Sequence, residues 1–253
     1  ATSPNGYRCI SSCTPCVRET LLEHASSNVS ARNVNDWLYE HVNGQDVAIQ
    51  AGRTLRFIGG CDFSMPVNSF LCHMLLSQIK TIAVCGAGTM GSGIAQVSAQ
   101  AGFQTIQFDL SAEMIEKSRK GIEASLAKLA DKGKITADEK KAILDRILFT
   151  TRAEDCVADM IIEAIVEKKE AKISLFTQLA AFNAADTILA TNTSSIPVSE
   201  IAAGIPHPER VVGMHFFNPA PLMKLVEVIE GNTTSAEVVQ QTIAISQQMQ
   251  KVP

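Results

Sequence analysis

The feature that most restricts the fold of this chain is Gly86-Ala-Gly88-Thr-Met-Gly91, a G-x-G-x-x-G placed between a strand and a helix. Before it, Thr81-Ile-Ala-Val-Cys85 is a short apolar run ending at glycines, as a buried parallel strand does. After it, Met90, Ile94 and Val97 form one stripe of a helix. In that setting the first glycine permits a tight turn and the second lets the backbone approach a pyrophosphate. The third lets helix and strand pack closely. Phosphates then rest on the free N–H groups at the helix start, where the dipole favours an anion. The predicted contacts are Gly86, Gly88, Thr89, Met90 and Gly91. Asp109 follows a second strand candidate, Gln104–Phe108, and stands 23 residues after Gly86. An acid there accepts hydrogen bonds from the adenosine ribose and repels a 2′-phosphate, which predicts NAD rather than NADP.

Strand and helix signals keep alternating beyond this unit. Ser111 caps a helix predicted to run to about Lys132, with a turn at Gly133. Thr136-Ala-Asp-Glu139 is a capping-box pattern, and it opens a partner helix expected to end near Ile147. Met160–Ile165, Thr187–Ala190, Val211–Met214 and Leu225–Ile229 read as strands. Lys168–Phe182 and a short stretch near Pro197–Ala202 read as helices, and Thr234-Ser-Ala-Glu237 opens a last one. This alternation predicts an α/β fold, a doubly wound Rossmann-type sheet with a helical-hairpin insertion.

Residues 1–78 have a different character. They contain no lysine, whereas 13 lysines follow from Lys80 onward, and Ser, Asn and Gly interrupt every apolar run. We expect two parts: a segment 1–78, irregular or poorly ordered, non-native or of separate role, and a dinucleotide-binding domain 79–253, with Met74 as its natural start. Cys13-Thr-Pro-Cys16 lacks the second ligand pair that zinc needs, so free thiols are expected and no metal. A net charge of −4 and a pI near 5.8 argue against a nucleic-acid partner. Neither a membrane span nor a secretory signal is evident, and the seven cysteines, an odd number, suit a reducing compartment.

Three segments end later strands, where open α/β sheets place their ligands. Ala190-Thr-Asn-Thr-Ser-Ser195 offers small polar groups, Asn192 and Ser194 among them. Gly213-Met-His215-Phe-Phe-Asn218-Pro brings a histidine to a strand end. In Leu225-Val-Glu227-Val-Ile229, period-2 alternation puts Glu227 on the side of Leu225 and Ile229, which predicts a buried carboxylate. Such a group needs a partner, and His215 stands 12 residues earlier. A His–Glu pair fixes one imidazole tautomer and raises its basicity, as proton abstraction from an alcohol requires.

The strings GAGTMGSGIAQ, IIEAIVEKKEAK, ATNTSSIPVSEIA and HFFNPAPLMKLVEVI, in this order, resemble the N-terminal domain of L-3-hydroxyacyl-CoA dehydrogenases. Within that family the chain is most similar to bacterial 3-hydroxybutyryl-CoA dehydrogenases. The resemblance implies an NAD-dependent oxidoreductase interconverting (S)-3-hydroxyacyl-CoA and 3-oxoacyl-CoA in fatty-acid or butanoate metabolism. It implies that His215 takes the hydroxyl proton, that Glu227 orients it, and that Ser194 and Asn218 bind the substrate oxygen. Asp109, Glu167, Lys172 and Asn192 would line the NAD site, and Ser125 and Lys132 would touch the CoA moiety. The family forms homodimers through a C-terminal helical domain that we expect to be absent here, leaving this stretch weakly active or inactive alone. Its members are cytoplasmic in bacteria and mitochondrial in eukaryotes. A sugar-acid dehydrogenase of the gulonate type and a non-catalytic NAD-binding protein share the same signature and stay open at this point.

Overall fold

The computed structural model describes residues 79–253 and, before them, three short strands. It divides into two compact units, Ala1–His73 and Met74–Pro253. In the first, β1 (Val47–Gln50), β2 (Thr54–Phe57) and β3 (Ser64–Pro66) pair antiparallel in that order. The broken apolar runs of this segment do not announce these strands. Cys13 and Cys16 lie outside the described residues.

The second unit is a seven-stranded sheet. Its strands are β4 (Thr81–Cys85), β5 (Gln104–Phe108), β6 (Ile147–Thr150), β7 (Met160–Glu163), β8 (Ile188–Thr191), β9 (Val211–Phe216) and β10 (Val226–Ile229). Their spatial order is β10-β9-β8-β7-β4-β5-β6, parallel throughout except for the antiparallel edge strand β10. Strand order therefore reverses between β4 and β7, and the crevice at their carboxyl ends is where such sheets hold ligands.

Among the described residues of this unit the α-helices are α1 (Thr89–Gln100), α2 (Ala112–Asp131), α3 (Ala137–Asp145), α4 (Lys169–Ala180), α5 (Val198–Ala202) and α6 (Ala236–Gln248). Alternation along each central strand feeds two cores. Ile82, Val84 and Ile162 pack with Ile94 and Val97 of α1, Leu126 of α2 and Ile245 of α6. Ala83, Cys85 and Ile161 pack on the other face with Phe176 and Leu179 of α4 and Ile201 of α5. Both faces of the sheet are thus covered, which is why its strands read as unbroken apolar runs.

Local signals account for most boundaries. The Ser111 hydroxyl accepts the Met114 N–H, and Thr136 with Glu139 forms a complete capping box. Two boundaries depart from expectation. Ile147–Thr150 is a strand rather than a helix end; Ile143 and Ile147 share helical spacing, so the turn at Arg146 is hidden by periodicity. The cap of α6 is Ser235, not Thr234. The Thr234 hydroxyl instead accepts the Gly231 N–H and donates to the Val211 carbonyl. Among the described residues, no helix is long and apolar enough to cross a membrane.

Candidate active site

Three clusters converge on the carboxyl edge of the sheet. The first is the glycine turn. Gly86 has φ +106°, and a Cβ on it would lie 2.5 Å from the Ala164 carbonyl oxygen. A Cβ on Gly91 would lie 1.9 Å from the Gly86 carbonyl oxygen, so strand and helix touch through hydrogen alone. Gly88 differs: a Cβ there would meet no protein atom within 4 Å, and its φ of −71° is open to any residue. The fold itself does not need this glycine. What the absent side chain leaves is open space at the start of α1, whose first N–H groups, at Thr89, Met90 and Gly91, have no intrahelical acceptor. Thr89 is exposed, and Met90 is half-buried against the core. The Asp109 carboxylate joins this turn directly, accepting the Ala87 N–H at 2.8 Å and the Ser111 N–H at 2.9 Å. A carboxylate offers about four lone-pair directions, which leaves capacity for ribose hydroxyls. An open helix N-terminus beside an acid fits a dinucleotide without a 2′-phosphate.

The second cluster is charged. Lys172, in the first turn of α4, places its ammonium 2.6 Å from Glu163 and 3.1 Å from Glu167. Its side chain is 1% exposed, so it does not line the crevice as expected; its reach toward a ligand runs through Glu167, which is 39% exposed. Partial burial opposes the charge on Glu167. Hydrogen bonds from Thr193 and Lys172, the Lys172 charge and the Ser194 N–H outweigh it and hold the carboxyl at about 2. The Glu167 Oε1 accepts the Thr193 hydroxyl, the Ser194 N–H and the Ser195 hydroxyl. The Ser194 side chain is left exposed.

The third cluster is the histidine. β9 and β10 pair with His215 directly opposite Glu227, and the imidazole Nδ1 stands 2.8 Å from Glu227 Oε2. A carboxylate only accepts, so Nδ1 carries a hydrogen, and in the neutral ring the lone pair is on Nε2. The ring tilts against Phe217, centroids 4.7 Å apart. His215 is 18% exposed, but Glu227 is 50% exposed, against the expectation of a buried carboxylate. Alternation along β10 is as read, yet the covered face is that of Val226; Leu225, Glu227 and Ile229 are exposed. Edge strands often leave one face open, and alternation gives parity without saying which face is covered.

Asn192 links the clusters: its Oδ1 accepts the Phe216 N–H at 2.8 Å, tying the loop after β8 to the end of β9. Asn218 is exposed just beyond β9. Ser125 and Lys132 lie apart, on α2 and at its C-cap, the first half-buried and the second exposed. Residues without an assigned part emerge as structural members of the site. Glu163 and Thr191 are fully buried, and Lys251 clasps the connection between β9 and β10 through the Ala220 and Met223 carbonyls. A lone acid inside an apolar strand was the available signal for Glu163.

Strand order, glycine turn and acid together define a Rossmann-type dinucleotide-binding domain. Comparison with known proteins takes the assignment further. Residues 81–253 match the family model "3-hydroxyacyl-CoA dehydrogenase, NAD binding domain", and the chain belongs to that family. It is 47% identical over 175 residues to a probable 3-hydroxybutyryl-CoA dehydrogenase of Bacillus subtilis, covering 69% of this chain and 61% of that protein. It is 46% identical over 180 residues to the 3-hydroxyadipyl-CoA dehydrogenase of Escherichia coli, covering 71% of this chain and 38% of the relative. A crystal structure of (S)-3-hydroxybutyryl-CoA dehydrogenase from Ralstonia eutropha matches with TM-score 0.68 and 38% identity, over 69% of this chain and 62% of that one. The chain thus spans less than two thirds of the length of these relatives. The family is one of NAD-binding domains, in agreement with the cofactor predicted from Asp109.

Proposed function

We propose that the protein is an NAD-dependent oxidoreductase interconverting short-chain (S)-3-hydroxyacyl-CoA and 3-oxoacyl-CoA. The observation that carries this reading is the His215–Glu227 pair, held at 2.8 Å by strand register beside the glycine-turn crevice. His215 Nε2 takes the 3-hydroxyl proton, and Glu227 stabilises the imidazolium that results. Bound NAD would supply the acceptor for the hydride leaving C3. The Ser194 hydroxyl and the Asn218 amide hold the substrate oxygen; both residues are exposed, and both groups can donate. Asp109 takes the adenosine ribose, and the α1 N-terminus with Gly86, Gly88, Thr89, Met90 and Gly91 takes the pyrophosphate. Glu167 with Lys172 and Asn192 shape the nicotinamide side, and Ser125 and Lys132 meet the CoA moiety.

The reading extends to organisation. The dinucleotide-binding domain is residues 79–253, and 1–78 is a separate segment. The enzyme acts in the cytoplasm of a bacterium, or in the mitochondrial matrix if the source is eukaryotic, and it assembles as a homodimer. The test is NADH oxidation by the full-length protein with acetoacetyl-CoA, compared with a free 3-oxo acid. Turnover of the thioester alone supports the reading. Preference for the free acid would replace it with a sugar-acid type of dehydrogenase.

A further inference from the structure

Glu163 is the last residue of β7, fully buried beneath the crevice where strand order reverses. It cannot touch a ligand, yet both its oxygens are engaged. Oε1 accepts the Ile165 N–H at 2.8 Å and the Lys172 ammonium at 2.6 Å, and Oε2 accepts the Thr191 hydroxyl at 2.7 Å. Lys172 also holds Glu167, and Glu167 holds the backbone and hydroxyls of Thr193, Ser194 and Ser195. Hydrogen bonds, ion pairs and the backbone from Thr191 to Thr193 therefore form a closed ring. It leaves β7, passes through α4 and the loop before it, crosses to the loop after β8, and returns through Thr191.

Control within this ring runs in one direction. Both carboxylates are well bonded, but Glu163 ends a central strand and is fully buried, whereas Glu167 sits on a loop and is 39% exposed. A shared ammonium is placed by its buried partner, and the exposed carboxylate follows the ammonium. We propose that Glu163 is a positioning residue: acting through Lys172, it holds Glu167 inward and so fixes the loop that presents Ser194. This rests on the proposed function to the extent that Glu167 and that loop meet dinucleotide and substrate.

Glu163→Gln changes the charge and almost nothing else. The amide oxygen still accepts from Ile165 and Lys172, and the amide nitrogen turns to the Thr191 hydroxyl, which accepts as readily as it donates. Lys172 keeps that hydrogen bond but loses the charge opposite it, so the Glu167 carboxylate becomes its only ion-pair partner and draws it outward. In the full-length enzyme NADH Kd rises about tenfold and kcat falls about tenfold, because sub-ångström misplacement of positioning groups costs this much. Lys172 keeps Glu167 as a counter-ion, so the thermal midpoint falls by less than full loss of a buried pair would cost. A second variant, Glu163→Gln with Lys172→Met, removes the buried pair without leaving an unpaired charge. Glu167 then faces only the hydroxyls of Thr193 and Ser195 and the Ser194 N–H, since the Lys169 ammonium is held by Glu200. Loss of the Lys172 charge and hydrogen bond lets the Glu167 carboxyl rise back toward its ordinary 4.5, so NADH affinity should weaken as pH falls from about 6 to about 4 in this variant and stay level in the wild type. A merely structural role would lower the thermal midpoint and leave that slope flat.

An NADH Kd within about twofold of wild type for Glu163→Gln, or a flat profile for the double variant, overturns the proposal. If the Gln variant does not fold, Thr191→Val removes one donor to Glu163 and should raise NADH Kd about threefold; no change overturns the proposal equally. NADH binding reports on this ring whatever the substrate, so inactivity of the wild type toward acyl-CoA would sink the proposed function alone.

Discussion

Gly88→Ala separates folding from cofactor binding more sharply than any other substitution in this domain. The added methyl meets no protein atom within 4 Å, and φ is −71°, so the folded chain accepts it without strain. Alanine restricts the unfolded chain, which stabilises by about 0.4–1 kcal/mol. Gly88 is also the N-cap of α1, where alanine is worse than glycine by about 0.5–1 kcal/mol. The two contributions cancel, and the thermal midpoint should move by no more than about 2 °C. Binding should behave differently. The methyl stands where a pyrophosphate approaches the first turn, and each hydrogen bond lost to a charged group costs about 1.5–3 kcal/mol. One such loss weakens NADH binding about 10- to 150-fold. Gly91→Ala is the control, because its methyl would lie 1.9 Å from the Gly86 carbonyl and must disrupt the strand–helix contact itself. Calorimetry and NADH fluorescence titration on the two variants decide the matter. Wild-type affinity in Gly88→Ala would refute the argument that open space at this turn is reserved for phosphate, and unfolding of that variant would refute the geometry.

Other perturbations carry distinct signatures. His215→Gln removes the proton acceptor, so kcat should fall about 10²- to 10⁴-fold while NADH Kd stays within about twofold, measured by steady-state kinetics and fluorescence. Glu227→Gln keeps a hydrogen bond but loses the charge; half-exposure limits that loss to about 1.4 kcal/mol, and kcat should fall about tenfold. A far larger drop would mean the pair is desolvated during turnover. Glu167 is held at about 2 in the folded state, below its ordinary value of 4.5. Its contribution is therefore complete above that value and disappears as pH falls toward 2. The difference in thermal midpoint between wild type and Glu167→Gln should shrink across that window, and a constant difference would refute the attribution.

Some of this arrangement is legible without coordinates. The glycine turn is spelled out because close backbone contact admits only one residue type at Gly86 and Gly91. The seat of Asp109 beside that turn is a short-range consequence of two adjacent parallel strands. The pairing of His215 with Glu227 follows from alternation and a short connection. What alternation cannot convey is which side of β10 is covered, since that depends on neighbours remote in sequence. The strand Ile147–Thr150 is concealed because Ile147 continues the helical spacing of Ile143. Glu163 stands out in the sequence as an acid among apolar residues. Its purpose does not, because Lys172 and Thr191 reach it from 9 and 28 residues away along the chain.

The open face of β10 bears on how robust the His215–Glu227 pair is. Slipping β10 by one residue would carry Val226 into water and drive the Glu227 carboxylate toward the packed side. Both changes are costly, so the register resists changes in the connecting segment between Phe217 and Leu225. The alignment of acid with base is therefore insured by the burial of a neighbouring valine rather than by the attraction between the two charged partners. A protein arranged this way can neutralise Glu227, or lose its interaction with His215 in high salt, and still present the imidazole at the same place on the sheet.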